Sequence, residues 1–441
     1  MRSSKRSIIR ALTATAVALC LARQVSSASA ADWPQFQGPN RDGASPETGL
    51  ARAWPAQGPK VLWRIPLGEG FGGPAIKDGK VYVLDRVDDQ KDVLRCLDLA
   101  TGKEEWTFSY DSPGTLDRNG SRTTPTVDDK RIFVVGPFGE LHCIDRETRR
   151  PVWQKHLVRD FGAEKHPTWG VTQSPSLYKD LVIVAPQTTE AGVAALDRDT
   201  GRVVWKSPPL KGGQGYVSPV VTTLDGVDQA VMVSALRGQK SPDPIPGEVA
   251  GFSVADGRRL WSYDGWQCII PIPYPTRVAE DALLITGDYG AGATMIQVKR
   301  DGGEFQVKEL FHVDFCDGLA HQPIVYKGHI YANGTGKAPP DWNGLICMTM
   351  DGKLKWRTRD LGKDFPHFRF GGVLLADGLL FVMDGDNGDL RMVEANPEGY
   401  KELAKASLLQ GEMVWAPMAL SDGKLVIRDQ TQMKCINVRN P

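Results

Sequence analysis

Polar and aromatic residues recur at one kind of position in the chain, just before short segments such as Ser174-Pro175 or Gly371-Gly372. Their side chains suit ligand binding: an arginine grips a carboxylate with two hydrogen bonds, an indole stacks on a flat ring, and a histidine changes charge near neutral pH. The candidate ligand-binding residues are Arg122, His166, Trp169, Gln173, Tyr216, Asp317, His321, His367, Arg369 and Trp415.

These candidates are dispersed between residues 122 and 415, so they form a site only if the fold brings them together. We expect them to converge on a central funnel that binds a small ligand or a partner. The alternative is that they are ordinary solvated loop residues. No Ser-His-Asp order, glycine-rich phosphate loop or zinc-ligand spacing stands out, and we predict no catalytic residue.

The acidic run at residues 384–389 (DGDNGD) is similar to the opening of a Ca²⁺-binding loop. An EF-hand loop needs glycine at its sixth position and glutamate at its twelfth. Here those positions hold Asp389 and Ala395. We therefore predict a hairpin turn at this run and no metal ligands.

The cysteines after residue 30 fall into two groups. Four of them occupy one repeated position and are predicted to be small core residues: Cys96, Cys143, Cys347 and Cys435. Cys268 and Cys316 break this pattern, because both precede a proline-initiated segment. For this pair we favour separate core packing, with a disulfide in an oxidising compartment as the alternative.

Tryptophan closes a sub-pattern that returns every 43 to 56 residues. The first copy contains Gly73-Pro74, an Asp78-Gly79 turn and Thr101-Gly102 before Trp106. Alternating β-branched and aromatic residues predict four short strands in each unit, and the glycine pairs predict the turns. Such a period with four strands indicates propeller blades. The closing residues are Trp63, Trp106, Trp153, Trp205, Trp261, Phe311 and Trp356.

The number of innermost strands predicts eight blades. Residues 371–374 supply one innermost strand, and seven others follow Pro74, Pro125, Pro175, Pro219, Pro275, Pro323 and Pro417. The last unit stops after its third strand, whereas residues 60–65 form a tryptophan strand with no unit before it. We therefore predict an all-β, eight-bladed propeller of four-stranded antiparallel blades. Pairing of residues 60–65 with residues 433–438 would close the ring and leave no free edge.

This pattern of proline-initiated strand, Asp-Gly turn, Leu-Asp-x-x-Thr-Gly and tryptophan resembles the pyrroloquinoline-quinone (PQQ)-like propeller repeat. Quinoprotein alcohol dehydrogenases and BamB-like outer-membrane assembly proteins share that repeat. The resemblance covers residues 60–438. Residues 33–43 are similar to the N-terminal arm of secreted PQQ-like propeller proteins.

The resemblance implies two classes of function. A quinoprotein dehydrogenase needs PQQ, a Ca²⁺ ion and a carboxylate base. Its alcohol dehydrogenase families also carry an adjacent cysteine pair and long insertions, which are missing from this sequence. We therefore predict a non-catalytic, BamB-like binding or assembly scaffold without a cofactor. The alternatives are a PQQ- and Ca²⁺-dependent dehydrogenase and a carbohydrate-binding propeller.

Residues 1–30 have the pattern of a secretory signal peptide, with early basic residues, an apolar run and Ala28-Ser29-Ala30 before the expected cleavage point. They hold five basic and no acidic residues, so their removal takes the net charge from 0 to about −5. This argues against a nucleic-acid partner. We expect an arm at residues 31–59, a propeller at residues 60–441, and a monomer in the periplasm or outside the cell. Its partner would be an envelope protein, a peptide or a small ligand.

Overall fold

The computed structural model describes residues 31–318, 320–334 and 343–440. The predicted signal peptide lies outside the described residues. Within them, no helix is both long and apolar enough to cross a membrane. The only helices found there are two short 3₁₀ turns, Arg159–Phe161 and Thr358–Leu361.

Eight antiparallel sheets, each of four blade strands, confirm the predicted all-β propeller. From the channel outwards, blades 1 to 4 contain Ala75–Lys77, Lys80–Val87, Lys91–Asp98 and Glu104–Asp111; Thr126–Val127, Arg131–Val135, Glu140–Asp145 and Pro151–His156; Ser176–Tyr178, Leu181–Val184, Ala194–Asp197 and Val203–Lys206; Val220–Leu224, Val227–Val233, Val249–Ser253 and Arg259–Tyr263. Blades 5 to 8 contain Thr276–Ala279, Ala282–Gly287, Gly292–Asp301 and Glu304–Val313; Ile324–Tyr326, His329–Gly334, Gly344–Thr349 and Leu354–Arg357; Val373–Ala376, Leu379–Met383, Asp389–Glu394 and Glu402–Ser407; Ala419–Ser421, Lys424–Arg428, Gln432–Asn437 and Val61–Pro66.

The two ends of the chain share blade 8, as the sequence predicted. Val61–Pro66 pairs antiparallel with Gln432–Asn437, and Trp63 lies opposite Cys435. The early strand thus becomes the outermost strand of the last blade. Each of the eight blades in the described ranges thus has four strands, and backbone hydrogen bonds close the ring.

The repeated tryptophan joins each blade to the next. Trp63 Nε1 donates a 2.8 Å hydrogen bond to the carbonyl of Leu99 in blade 1. A Cβ on Gly102 (φ +70°) would lie 2.6 Å from the Trp63 ring, so only glycine fits there. Trp205 repeats the contact against Val254 and Gly257 of the following blade.

The repeated cysteine position explains how the large indole fits. Cys96, Cys143, Cys347 and Cys435 are buried, and each lies opposite a tryptophan of the outermost strand. The prediction that these cysteines are core residues is confirmed. In blade 7, where Ala404 replaces the tryptophan, the opposite residue is the larger Met392. Volume is therefore conserved across the pair.

The alternative of a disulfide between Cys268 and Cys316 is not realised, because both thiols are free and buried. Cys268 packs in the apolar cluster that contains Trp266 and Tyr274. Cys316 packs in a separate cluster with Ile330. Each thiol is therefore a core group of its own blade seam, which is the interpretation the sequence favoured.

The N-terminal arm lines and fills the central channel. Trp33 is 2 % exposed and forms a β-bridge with Ile76 of blade 1. The carbonyl of Pro34 accepts a 2.8 Å hydrogen bond from the amide of Val127 in blade 2. Sequence patterns gave no indication that this segment reaches the axis.

The rest of the arm reaches the remaining side of the ring. Arg41 donates to the carbonyl of Pro175 in blade 3, and its own carbonyl accepts from the hydroxyl of Tyr274 in blade 5. Ala44–Ser45 then adds a short parallel strand to Val373–Ala376 in blade 7. The arm thus ties together blades that are far apart around the ring.

Candidate functional site

Two ends of the propeller differ in the loops they carry. Because successive strands are antiparallel, the loops leading into the innermost strands lie at the same end as the loops joining second to third strands. We call this end the loop face. The opposite end, with the Asp-Gly turns, is the turn face. All ten candidate residues lie in loops of the loop face.

The arm closes the channel beneath the loop face. It starts at the turn face, where the Asp32 carboxylate accepts hydrogen bonds from Lys77 Nζ and the amide of Asp78. Its deepest point is Gln37, whose Nε2 lies 3.3 Å from His321 Nδ1. The arm therefore runs within the ring from the turn face to the underside of the loop face.

Aromatic rings and arginines from several blades meet on this surface. Trp415 contacts Phe71, with ring centroids 5.4 Å apart, and Phe370, at 5.0 Å edge to face. Arg118 lies over the Trp415 ring at 5.8 Å. Arg122 lies over the Phe71 ring at 5.2 Å. Such arginine–aromatic contacts are favourable and hold the planar groups in fixed positions.

Two further contacts lie among the same loops. Arg369 lies 5.2 Å from the Phe370 ring centroid. The rings of Trp169 and Tyr216 are 5.2 Å apart. We define the aromatic–arginine patch by these residues and one more aromatic residue: Phe71, Arg118, Arg122, Trp169, Tyr216, Tyr289, Arg369, Phe370 and Trp415.

Charge interactions link the residues of the patch that do not touch through rings. Burial lowers the pKa of Arg122 to about 10, an effect that nearby Tyr216 opposes and nearby Arg118 increases. Burial raises the pKa of Tyr289, while the charges of Arg118 and Arg369 lower it. Guanidinium groups from two separate loops therefore act on one phenol.

The patch backbone contains left-handed conformations that large side chains rarely adopt. Arg118, Tyr289 and Phe370 have φ values of 54°, 59° and 55°. Each such residue costs of order 1 kcal/mol or more, and outliers of this kind concentrate at functional sites. The strain is therefore a reason to look for function here.

His321 does not present a free imidazole to a ligand, contrary to our expectation for the funnel. Its Nδ1 faces Gln37 Nε2, and its Nε2 lies 3.1 Å from the carbonyl of Trp415. Burial lowers its pKa to about 4, so the ring is neutral at physiological pH. His321 instead connects the arm to the patch.

Two further candidates are buried and occupied by protein partners. Both amide atoms of Gln173 form 2.5 Å hydrogen bonds with the backbone of Ala185. Asp317 is 2 % exposed and accepts a hydrogen bond from Asn343 Nδ2. We therefore revise their role from ligand binding to loop structure.

The two remaining histidines lie at the edge of the surface. His166 packs against Phe138, with centroids 5.2 Å apart, and its Nδ1 lies 2.7 Å from the carbonyl of Pro167. His367 packs edge to face on Phe365 at 6.2 Å. Both of these histidines contact phenylalanines that are not part of the patch. Their place in a site stays a prediction.

Half of the ten candidates thus belong to the patch: Arg122, Trp169, Tyr216, Arg369 and Trp415. Sequence reasoning missed Phe71, Arg118 and Phe370, although all three lie in the same kind of loop as the candidates. It also missed Tyr289, which lies between the second and third strands of blade 5. The loops between second and third strands lie at the same end of the ring, so aromatic residues in those loops could also have been predicted as site candidates.

Residues 384–389 form the predicted hairpin turn. The amide of Asp384 donates to the carbonyl of Asp389 at 2.8 Å, and the amide of Gly388 donates back at 3.0 Å. The carboxylate of Asp389 is paired with Lys405 at 2.6 Å. No group of three or more His, Cys, Asp or Glu side chains in the described ranges could hold a metal ion.

Comparison with known proteins returns two kinds of relative. Residues 90–267 match the family model described as outer membrane protein assembly factor BamB. The BamB of Moranella endobia is 21 % identical over 279 residues, which is 60 % of this chain and 62 % of that protein. The quinoprotein alcohol dehydrogenase PedH of Pseudomonas putida is 24 % identical over 174 residues, covering 38 % of this chain and 27 % of that protein.

Solved structures show the same fold. A europium-containing methanol dehydrogenase aligns over 90 % of this chain and 89 % of its own, with a TM-score of 0.64 and 14 % identity. BamB from Moraxella catarrhalis aligns over 85 % and 96 %, with a TM-score of 0.57 and 14 % identity. The resemblance to the PQQ-like propeller repeat is confirmed. The matches span about a quarter of PedH and about three fifths of the M. endobia BamB.

Proposed function

We propose that the protein is a non-catalytic scaffold of the cell envelope, similar in role to a BamB-like assembly factor. It would bind a protein partner on the aromatic–arginine patch of its loop face. The observation that carries the proposal is the convergence of partly or fully exposed aromatic and arginine side chains from several blades on the loop face. Tyrosine, tryptophan and arginine are the residues that dominate binding energy at protein interfaces.

The rigidity of the ring supports the same proposal. Strands of every blade and the channel-filling arm fix the loops from below, so few degrees of freedom are lost when a partner binds. The relatives that are named as assembly factors support this role. They do not identify the partner of this chain, which has to be found by experiment.

A photoreactive residue tests the scaffold proposal directly. p-Benzoylphenylalanine is placed at Trp169 on the loop face or at Lys130, which is exposed in an Asp-Gly-type turn of the turn face. After irradiation of the native host cells, we expect a discrete protein adduct from position 169 only. Arg369→Ala should weaken this adduct, whereas Arg258→Ala, at an exposed arginine of a turn-face loop, should not. Equal adducts from both faces, or none from position 169, would contradict the proposal.

The dehydrogenase relatives supply the competing function, which calorimetry discriminates. The purified protein is titrated with PQQ in the presence and absence of Ca²⁺, and alcohol-dependent dye reduction is followed. The scaffold proposal expects neither Ca²⁺-dependent binding nor turnover. Tight, Ca²⁺-dependent binding coupled to dye reduction by an alcohol would contradict it.

A further inference from the structure

Three arginines are buried in the described part of the chain, and they differ in what neutralises their charge. Arg41, Arg86 and Arg428 are 8 %, 5 % and 1 % exposed. A guanidinium stays protonated at physiological pH, so burying it is costly unless a negative charge lies beside it. Comparing the surroundings of the three side chains therefore shows where a negative charge is needed.

Two of the three have carboxylates that supply this charge. Arg86 Nη1 lies 3.0 Å from Asp92 Oδ1, and both side chains are buried. Burial lowers the pKa of Arg428 to about 10, and the charges of Asp85 and Asp429 oppose that effect. The protein therefore balances each of these two buried charges with its own acidic residues.

Arg41, in the arm, has no such carboxylate. It forms no ion pair within the described ranges, and burial lowers its pKa to about 10. The group that opposes this effect is the phenol of Tyr274, whose own pKa is raised by burial, so that the phenol is neutral at physiological pH. The carboxylate of Asp42, next in the chain, accepts a 3.1 Å hydrogen bond from the amide of Ala44 instead. The charge of Arg41 is thus buried in the channel without a counter-charge from the described residues.

One nitrogen of the Arg41 guanidinium also lacks an acceptor. Nε donates a 3.0 Å hydrogen bond to Gln35 Oε1, and Nη2 donates to the carbonyl of Pro175. Nη1 is buried and has no hydrogen-bond partner among the described residues. A buried donor without an acceptor is unfavourable in itself. The charge and the unpaired donor therefore favour the same kind of ligand, a negatively charged hydrogen-bond acceptor.

We infer that a small, singly charged anion such as chloride binds in the channel beside Arg41 Nη1. One guanidinium supplies one positive charge, so a monovalent ion neutralises it, whereas a divalent ion would leave a negative charge buried. The bound ion would hold the guanidinium against Pro175 and thereby fix the arm to blade 3. This site goes beyond the scaffold function and does not depend on it.

Thermal unfolding in matched salts tests the inference. The purified protein is unfolded in mixtures of sodium chloride and sodium gluconate at constant ionic strength, so that charge screening is the same throughout. Gluconate serves as the large monovalent anion. We expect Tm to rise by about 1.5 °C for each tenfold rise in chloride above its Kd, because a ligand that binds the folded state alone stabilises it by mass action.

Matched variants locate the effect. Arg41→Met removes the charge and keeps an unbranched apolar side chain, so its Tm should no longer depend on chloride. Arg428→Met removes an equally buried arginine that has carboxylates near it, so it should keep the chloride dependence of the parent protein. The slope against chloride is compared, because both variants are expected to have a lower Tm than the parent.

Bromide provides a test that needs no variant. Crystals of the parent protein grown in sodium bromide should give an anomalous peak within hydrogen-bond distance of Arg41 Nη1. A Tm that is the same in chloride and gluconate, a chloride dependence that persists in Arg41→Met, or a bromide map with no peak at Arg41 would each overturn the inference. None of these results would affect the loop-face cross-link from position 169, so the scaffold function is tested separately.

Discussion

The turn face and the loop face are built by one repeat, yet their arginine side chains make different contacts. On the turn face, basic side chains pair with aspartates of the preceding blade: Arg146 lies 2.7 Å from Asp78, and Arg198 lies 3.4 Å from Asp128. On the loop face, Arg369 pairs with Asp386 at 3.5 Å, while Arg118 has no ion pair in the described ranges and lies over the Trp415 ring instead. Ion pairs between neighbouring blades hold the turn face together, whereas arginine–aromatic contacts characterise the patch that we propose as the binding surface.

Backbone strain separates the two faces in the same way. Left-handed residues of the turn face include Asp78, Asp225 and Lys327, which are small or flexible and sit in tight hairpin turns. Those of the loop face include Tyr289 and Phe370. A tight turn explains the first group. Large aromatic residues in this conformation are costly and often mark functional sites, which agrees with the binding surface we propose.

The largest effect on stability is expected at a blade seam. Trp205 is 7 % exposed, and its Nε1 donates to the carbonyl of Val254 at 3.0 Å. Trp205→Ala should lower the free energy of unfolding by about 3–5 kcal/mol, because a large buried side chain leaves a cavity. Urea unfolding followed by circular dichroism measures it. The folded Trp205→Ala variant should bind the cross-linked partner as tightly as the parent protein does. Weaker binding would contradict the view that the blade seams and the aromatic–arginine patch are independent.

The next effect is expected where the arm leaves the channel. Glu47 is buried, accepts hydrogen bonds from the amides of Asp422 and Gly423, and lies 3.3 Å from Arg439. Glu47→Ala should cost about 2–3 kcal/mol, since those amides and the arginine lose a charged acceptor. Glu394→Ala, at a less buried carboxylate of the same region, serves as the control. Equal losses from the two variants would mean that the arm is not held by this contact.

A smaller effect depends on pH through His321. Its pKa is about 4 in the folded chain and near 6.5 when unfolded, so the unfolded state binds more protons between these values. The neutral ring makes its full contribution to the free energy of unfolding above pH 6.5. As the pH falls towards 4, the free energy of unfolding decreases by up to about 3 kcal/mol. His321→Gln should flatten this part of the profile, measured by urea unfolding at each pH.

The comparison for His321 is made between parent and variant at each pH, because other groups titrate in the same range. Burial also lowers the pKa of His142 to about 4, which adds to the loss at low pH. Burial raises the pKa of Asp92 to about 6, which acts in the opposite direction. Identical profiles for parent and His321→Gln would show that the ring is not held neutral between arm and patch.

The smallest stability effect is expected in the patch itself. Trp169 is partly exposed and contacts Tyr216 rather than a blade seam. Trp169→Ala should change the free energy of unfolding by less than about 1 kcal/mol. The matched comparison is Trp205→Ala, which removes the same side chain from a seam. A loss of similar size from both positions would contradict the division into structural seam and binding surface.

The fold could be predicted from the sequence because each blade repeats its own signals. Proline before the innermost strand, Thr-Gly at Gly102 and the interval to Trp106 all follow from short-range geometry, and the orphan strand near Trp63 required ring closure. The position of the arm could not be predicted. Its contacts, such as Trp33 with Ile76, join residues that carry no shared pattern.

The site was predicted only in part, for a physical reason. The order of strands places Arg122, Trp169 and Trp415 at one end of the ring, and sequence reveals that order. Whether a loop side chain points outwards or back into its own loop depends on local hydrogen bonds. The Gln173 amide is bound to the backbone of Ala185 in its own blade, and the His321 ring contacts Gln37 of the arm.

The most direct test of the binding surface is the affinity of the cross-linked partner for a patch variant. Trp169→Ala combined with Arg369→Ala is compared with parent protein and with Arg258→Ala, each checked for folding by circular dichroism. The account predicts about a hundredfold rise in Kd for the patch variant and none for Arg258→Ala, because two interface residues of these types each contribute about 1–2 kcal/mol or more. An unchanged Kd in a folded patch variant would place the binding site elsewhere on the molecule.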